Sequence, residues 1–230
     1  MTINPDTIII FQTGWFTINA TILFTWLVIA FLTIGSWLIT RRLSSQGLLN
    51  RWQNLLEVLI LGIKGQIREV SRQDPGPYLP FVGTLFIYIV VSNILAVVPG
   101  FIPPTSSLST TAALAICVFI AVPVFGIASQ GITDYLRQYL KPTFFMLPFN
   151  IIGELSRTLA LAVRLYGNMM SGTVIVAILL TITPLIFPVI MQALGLLTGI
   201  IQAYIFAILA MVYIASASQV HRKKENKGEN

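Results

Sequence analysis

The sequence predicts an all-α membrane protein: five membrane-embedded helices, N-terminus outside and C-terminus inside, plus an amphipathic helix on the cytoplasmic surface. Three observations carry that prediction. Of 230 residues, 56% are hydrophobic and only 10% are charged, with a mean hydropathy of +0.84; too few polar side chains remain to face water around a soluble domain. The apolar stretches run continuously instead of alternating in twos, which argues against a membrane β-barrel. The basic residues, finally, sort to one side of the membrane when five crossings are drawn.

Taken in order, residues 1–15 carry one charged side chain, Asp6, and lack a basic stretch leading to a cleavage site, so no removable signal peptide is expected. The first spanning helix is expected over 16–40, stopped by Arg41 and Arg42. Residues 48–72 differ in kind. Trp52, Leu55, Leu56, Leu59, Ile60, Ile63, Ile67 and Val70 recur at three- and four-residue steps, with Asn50, Asn54, Glu57, Lys64 and Arg68 opposite. That is a helix for the membrane surface, also suited to binding a partner. QDPGP, Gln73 to Pro77, breaks it.

The second span is expected over 78–98, with Ser92 and Asn93 inside it, followed by an uncharged loop, Pro99 to Ser107. The third covers 108–130, and Asp134, Arg137 and Lys141 mark the polar segment after it. Two long helices follow, 147–183 and 188–217, and then a basic cytoplasmic tail, 218–230. With the N-terminus outside, Arg41 to Arg72, Arg137, Lys141 and Arg222 to Lys227 all fall inside, while residues 99–107 carry no Lys or Arg. Topology therefore accounts for the net charge of +6, and no nucleic-acid partner is needed. The single Cys117 excludes an intrachain disulfide, and His221, the only histidine, lies in the tail. There is no Gly-rich phosphate loop.

Glu154, Arg157 and Arg164 interrupt the apolar C-terminal half, and after Arg164 no charge follows until Arg222. A guanidinium stays protonated, and placing one at the bilayer centre costs about 2.5–3.5 kcal/mol on insertion scales. Such a residue is functional by default. Arg157 and Arg164 are seven apart, within about 20° on a helix, and Asn168 and Ser171 continue their stripe between the thin positions Gly167 and Gly172. Arg157 can alternatively snorkel to an interface. Glu154, three residues before it, either neutralises Arg157 or lines an ion path. Gln202 is the one amide within Gly195 to Ile214, near the face of Gly195 and Gly199, and a buried amide needs a hydrogen-bond partner.

RLYGNMMSG, Arg164 to Gly172, followed by GIIQAYIFAILAMVYI, Gly199 to Ile214, resembles subunit a of F-type ATP synthases. PYLPFVGTLF, Pro77 to Phe86, the VSN of Val91 to Asn93 and KPTFFMLPFNII, Lys141 to Ile152, fit the same family, so the likeness spans about residues 75–217. The resemblance implies an ion-translocating stator without catalysis of its own or a cofactor. Its last two helices would lie tilted against a ring of c subunits, with b-type stalk subunits as further partners. Two half-channels would open to opposite faces with Arg164 between them, blocking a leak and promoting ion release, and Gln202 and Asn168 beside it. Glu154, Arg157, Ser107, Ser171 and Thr173 are the candidate half-channel residues. Relatives commonly carry a Glu where this chain has Thr173, and some an acidic residue near Ser107. Losing both puts a carboxylate relay in doubt and leaves H+ or Na+ as the transported ion, with a divergent Na+-linked branch a candidate home. The lack of an organelle-type leader favours a bacterial plasma membrane.

A self-contained channel or secondary transporter with an intramembrane Arg site is the rival class, but transporters often show related halves and no internal repeat is evident. A bare membrane anchor would leave Arg164 and Gln202 unexplained.

Overall fold

A computed structural model describes residues 9–13, 16–41, 51–72, 74–98, 100–133, 135, 146–183 and 187–218. The expected polar segment around Arg137 and Lys141 and the tail from 219 onward, His221 included, lie outside the described residues. The architecture is helical apart from a short antiparallel hairpin, β1 (Ile9–Thr13) with β2 (Phe16–Asn19). This corrects the expected first helix. Residues 16–19 pair as a strand and α1 runs Ala20–Thr40. The apolar run is continuous across both, and hydropathy alone cannot mark where strand becomes helix.

Helix α2 covers Arg51–Ser71 and stops at Arg72, whose φ of 54° is left-handed. Helix α3 covers Leu79–Leu95, with turns at 96–98 where the second span was expected to continue. Val98 precedes Pro99, and a residue before proline is disfavoured in helical conformation. A 3-10 turn, Pro104–Ser106, leads into α4, Leu108–Gln130. Helices α5, Met146–Ile182, and α6, Phe187–Ser218, are the two long ones. Four helices (α1, α4, α5 and α6) are long and apolar enough to cross a membrane, and α3 is a shorter apolar helix. The chain is a multi-pass membrane protein.

The bundle is centred on α6, which packs on α3, α4 and α5 and receives α2 on its flank. One apolar cluster joins Val82, Val122, Tyr135, Met211 and Ile214 with Ile67 of α2; the other joins Ile89, Val118, Leu161, Leu165 and Phe206. Ile67 is buried, while Leu55, Val58 and Leu61 stay exposed. The Tyr204 hydroxyl and the Gln66 Oε1 lie 2.8 Å apart, the hydroxyl donating, which ties α2 to α6. Close approach is built in at Gly126, where an added Cβ would stand 2.6 Å from the Tyr135 ring. Helix α1 is held less tightly. It touches α3 and the 3-10 turn, with Val28 fully buried and Phe24 edge-on to Phe101 at 4.9 Å.

Candidate functional site

Helix α5 carries the intramembrane charges, and most of it faces outward. Arg157, Arg164, Gly167, Asn168 and Ser171 are all exposed, forming one stripe along its outer side. Among the described residues nothing hydrogen-bonds or ion-pairs with the Arg164 guanidinium. Arg157 differs. Its guanidinium carbon sits 5.8 Å from the centre of the Tyr213 ring, within reach of the ring's negative face.

Behind the stripe lies a polar seam between α3, α5 and α6. Gln192, Gly195, Gly199 and Gln202 are spaced three, four and three apart, so they share one face of α6. Gln202 is 3% exposed, and the Asn168 Nδ2 donates to its Oε1 at 2.7 Å. Its partner is thus neither Arg164 nor a backbone carbonyl. Gly199 admits Asn93 of α3, whose Nδ2 donates to the Gly199 carbonyl at 2.9 Å; a Cβ at 199 would meet that nitrogen at 3.0 Å. Thr105 in turn donates to the Asn93 Oδ1 at 3.0 Å. Gln192 Nε2 donates to the carbonyl of Ala96 at 2.9 Å.

Two recesses flank the Arg164 position. One, about 560 Å³, is lined by Asn93, the turn at 96–103, Asn168, Thr173, Gln192 and Gly195. The other, about 470 Å³, is lined by Tyr135, Asn150, Glu154, Arg157 and Ser216. They lie at opposite ends of the bundle. The first borders the turn that leads into α4. The second borders the end where Gln130, the last residue of α4, donates to the Ala217 carbonyl at 2.6 Å. Along α5, Arg164 stands about 10 Å beyond Arg157 and about 6 Å before Asn168, at 1.5 Å rise per residue.

The residues singled out from sequence therefore divide. Asn168 and Thr173 line the first recess, Glu154 and Arg157 the second, and Gln202 lies buried behind Asn168. Ser107 does not line either recess. Its side chain is fully buried and caps α4, accepting from the Ser109 N–H at 3.2 Å. Ser171 lies on the outer face with its hydroxyl donating to the Asn168 carbonyl at 3.2 Å. Asn93, Thr105 and Gln192 are site residues that sequence reading missed. The heptad-like spacing of 192, 195, 199 and 202 was the signal available for Gln192.

The arrangement holds no His/Cys/Asp/Glu cluster fit for a metal among the described residues. What it offers is a fixed cation on an apolar face, backed by amides, between two recesses, the first mainly apolar and the second mainly polar. The family model for the ATP synthase A chain matches residues 22–215. ATP synthase subunit a 2 of Acaryochloris marina is 62% identical over 96% of this chain and 94% of that protein. ATP synthase subunit a of Albidiferax ferrireducens is 58% identical over 100% of this chain and 99% of its own length. ATP synthase subunit a 1 of Chlorobaculum parvum is 57% identical, covering 97% of this chain and 99% of its own. The chain belongs to the ATP synthase A chain family.

Proposed function

We propose that this chain is the ion-translocating stator subunit a of a rotary F-type ATP synthase, and that the ion it passes is Na+. Subunits of this family are non-catalytic and ion-translocating; ATP chemistry lies in other subunits. The observation that carries the reading is Arg164, exposed on the outer face of α5 between two recesses and unpaired among the described residues. A permanent cation on a lipid-facing surface calls for an anion from another chain. In this reading the anion is the ion-binding carboxylate of a c-ring subunit.

Five crossings with the N-terminus outside put the 96–103 turn outside and the Gln130–Ala217 end in the cytoplasm. The first recess is then the outer half-channel and the second the cytoplasmic one. Helix α5 has 37 residues, about 55 Å at 1.5 Å each, against a hydrocarbon core of ~30 Å. It fits only when strongly tilted, with Gly167 and Ser171 toward the ring and little side chain in the way. Two b-type stalk subunits and the lipid of a bacterial plasma membrane complete the surroundings.

The mechanism follows from the charge. A carboxylate crossing lipid must carry a bound ion, because the bare anion is too costly there. A cation 4 Å from it, at an effective dielectric near 20, stabilises the ionised form by about 4 kcal/mol. That is some three decades in ion affinity, enough for release into one recess and refilling from the other. The same attraction is small enough for the ring to leave again. Arg164 also repels any cation moving directly between the recesses.

Na+ is favoured by the lining of the outer recess. Among its described residues there is no carboxylate, histidine or other titratable side chain to carry protons. Gln192 spends its NH2 group on a backbone carbonyl, so its oxygen is left as an acceptor. Neutral oxygens in a wet recess suit a partly hydrated cation. The test is ATP-driven uptake of radioactive Na+ into inverted membrane vesicles with a protonophore present and Arg164→Ala as control. Uptake that survives the protonophore and vanishes in the variant is expected; protonophore-sensitive acidification without Na+ uptake would make this a proton machine.

A further inference from the structure

We propose, on the stator reading above, that Tyr213 is a positioning residue of the ion-transfer site: its aromatic face tethers Arg157 to α6, so that Arg164 alone meets the carboxylates of the c ring. Two contacts join the polar stripe of α5 to α6, and they share one register. The Asn168 Nδ2 donates to Gln202 at 2.7 Å, and the Arg157 guanidinium carbon lies 5.8 Å from the centre of the Tyr213 ring. Arg157 and Asn168 are eleven residues apart on α5, and Gln202 and Tyr213 are eleven apart on α6. Eleven residues make three turns, about 16 Å. The contacts are therefore two rungs of one antiparallel pairing, with Arg164 between them.

Tyr213 is suited to hold a charge in place. It is half-buried and packs against both apolar clusters, which fixes the orientation of its ring. Ser216, one turn on, donates to its carbonyl at 2.8 Å and lines the second recess together with Arg157. Arg157 itself is exposed. Among the described residues its guanidinium makes no hydrogen bond or ion pair, which leaves the Tyr213 face to hold it.

The need for a tether comes from the stripe. Arg157 and Arg164 lie on one outward side of α5, about 10 Å apart along it, and a passing carboxylate would be drawn to either cation. Arg157 also borders the second recess, where the carboxylate has to exchange its ion. A guanidinium free to swing there would keep the carboxylate ionised and delay that exchange. Turned onto an aromatic face of α6, Arg157 is kept out of it.

The test is ATP-driven uptake into inverted vesicles carrying the intact complex, followed both as radioactive Na+ and as acidification. Tyr213→Leu and Tyr213→Phe are compared with Arg157 present and in the Arg157→Gln background. Tyr213→Leu is expected to slow uptake about two- to fivefold when Arg157 is present, the range that loss of an exposed cation–π contact allows. It should have no further effect on the rate of the Arg157→Gln background, and Tyr213→Phe, which keeps the aromatic face, should rescue the rate. Equal slowing in both backgrounds would overturn the tether and leave Tyr213 a packing residue; so would a Phe variant as slow as the Leu variant. Leucine also alters the packing of both apolar clusters, so phenylalanines carrying increasing numbers of ring fluorines at 213 give a second reading at nearly constant shape. Uptake should fall stepwise with fluorination when Arg157 is present and stay flat in Arg157→Gln; a flat response in both would overturn the proposal. Arg164→Ala separates the two levels. Uptake that survives it would remove the stator reading and the tether together, whereas uptake that vanishes in it while the Tyr213 variants act independently of Arg157 would remove the tether alone.

Discussion

Gly199→Ala is a small change with a calculable cost. The added Cβ would stand 3.0, 3.1 and 3.2 Å from Nδ2, Cγ and Cβ of Asn93, where relaxed carbon contacts lie near 3.5–4.0 Å. Asn93 is 3% exposed and held from two sides, by the Gly199 carbonyl and the Thr105 hydroxyl, so it cannot swing away. Either α3 and α6 part by about half an ångström or the Asn93 bond breaks. Overpacking of this kind costs about 1–3 kcal/mol, and losing the hydrogen bond a further ~0.5–1.5. Against this stands a helix-propensity gain of up to ~1 kcal/mol for alanine over glycine. The net expectation is a loss of about 1–3 kcal/mol. Gly195→Ala is the control, because nothing lies within 4 Å of a Cβ there. The assay is retention of the subunit in detergent-solubilised complex during heating, with ATP-driven ion uptake beside it. Gly199→Ala should lose both at lower temperature while Gly195→Ala stays at or above wild type. Equal behaviour of the two variants would refute the close-approach argument.

Three further outcomes are expected. Asn168→Ala and Gln202→Leu, measured singly and together by ATP-driven uptake, should be non-additive, with a coupling of about 0.5–1.5 kcal/mol for the shared hydrogen bond; independent effects would deny that the pair acts as a unit. Ser107→Ala should cost about 1 kcal/mol of stability through loss of the α4 cap and leave ion flux per complex unchanged, whereas a half-channel residue would lower flux first. Glu154→Gln tests the recess lined by Glu154 and Arg157: slower uptake at unchanged stability is expected if its charge draws cations in, and intact flux would leave Glu154 a structural neighbour of Arg157.

The parts of this chain that were legible in sequence are those where polarity breaks an apolar run. Arg164 and Gln202 stand out because each is an isolated polar group among apolar neighbours, and α5 and α6 are bracketed by Thr183, Pro184 and the prolines around them. Boundaries within apolar sequence were less visible: nothing in FTIN tells a strand from the first turn of α1. The early end of α3 was readable from Pro99, and the role of Ser107 from its place just before Leu108, a capping signature. What no local pattern could give is pairing at a distance. Asn93 meets Gly199 across 106 positions, and only the packing of α3 on α6 reveals why a glycine and an asparagine belong together.

The bonds from Gln192 to Ala96 and from Gln130 to Ala217 have a consequence for biogenesis. Ala96 and Ala217 lie at the C-terminal ends of α3 and α6, where carbonyls have no partner within their own helix. Ala217 finds its donor already made, 87 residues earlier. Ala96 emerges from the ribosome first and waits for Gln192, 96 residues later. Until the last helix arrives, the end of α3 is free to fray. The order of synthesis therefore leaves the recess beside Ala96 and Gln192 as the last part of the molecule to set, when α6 enters the bundle.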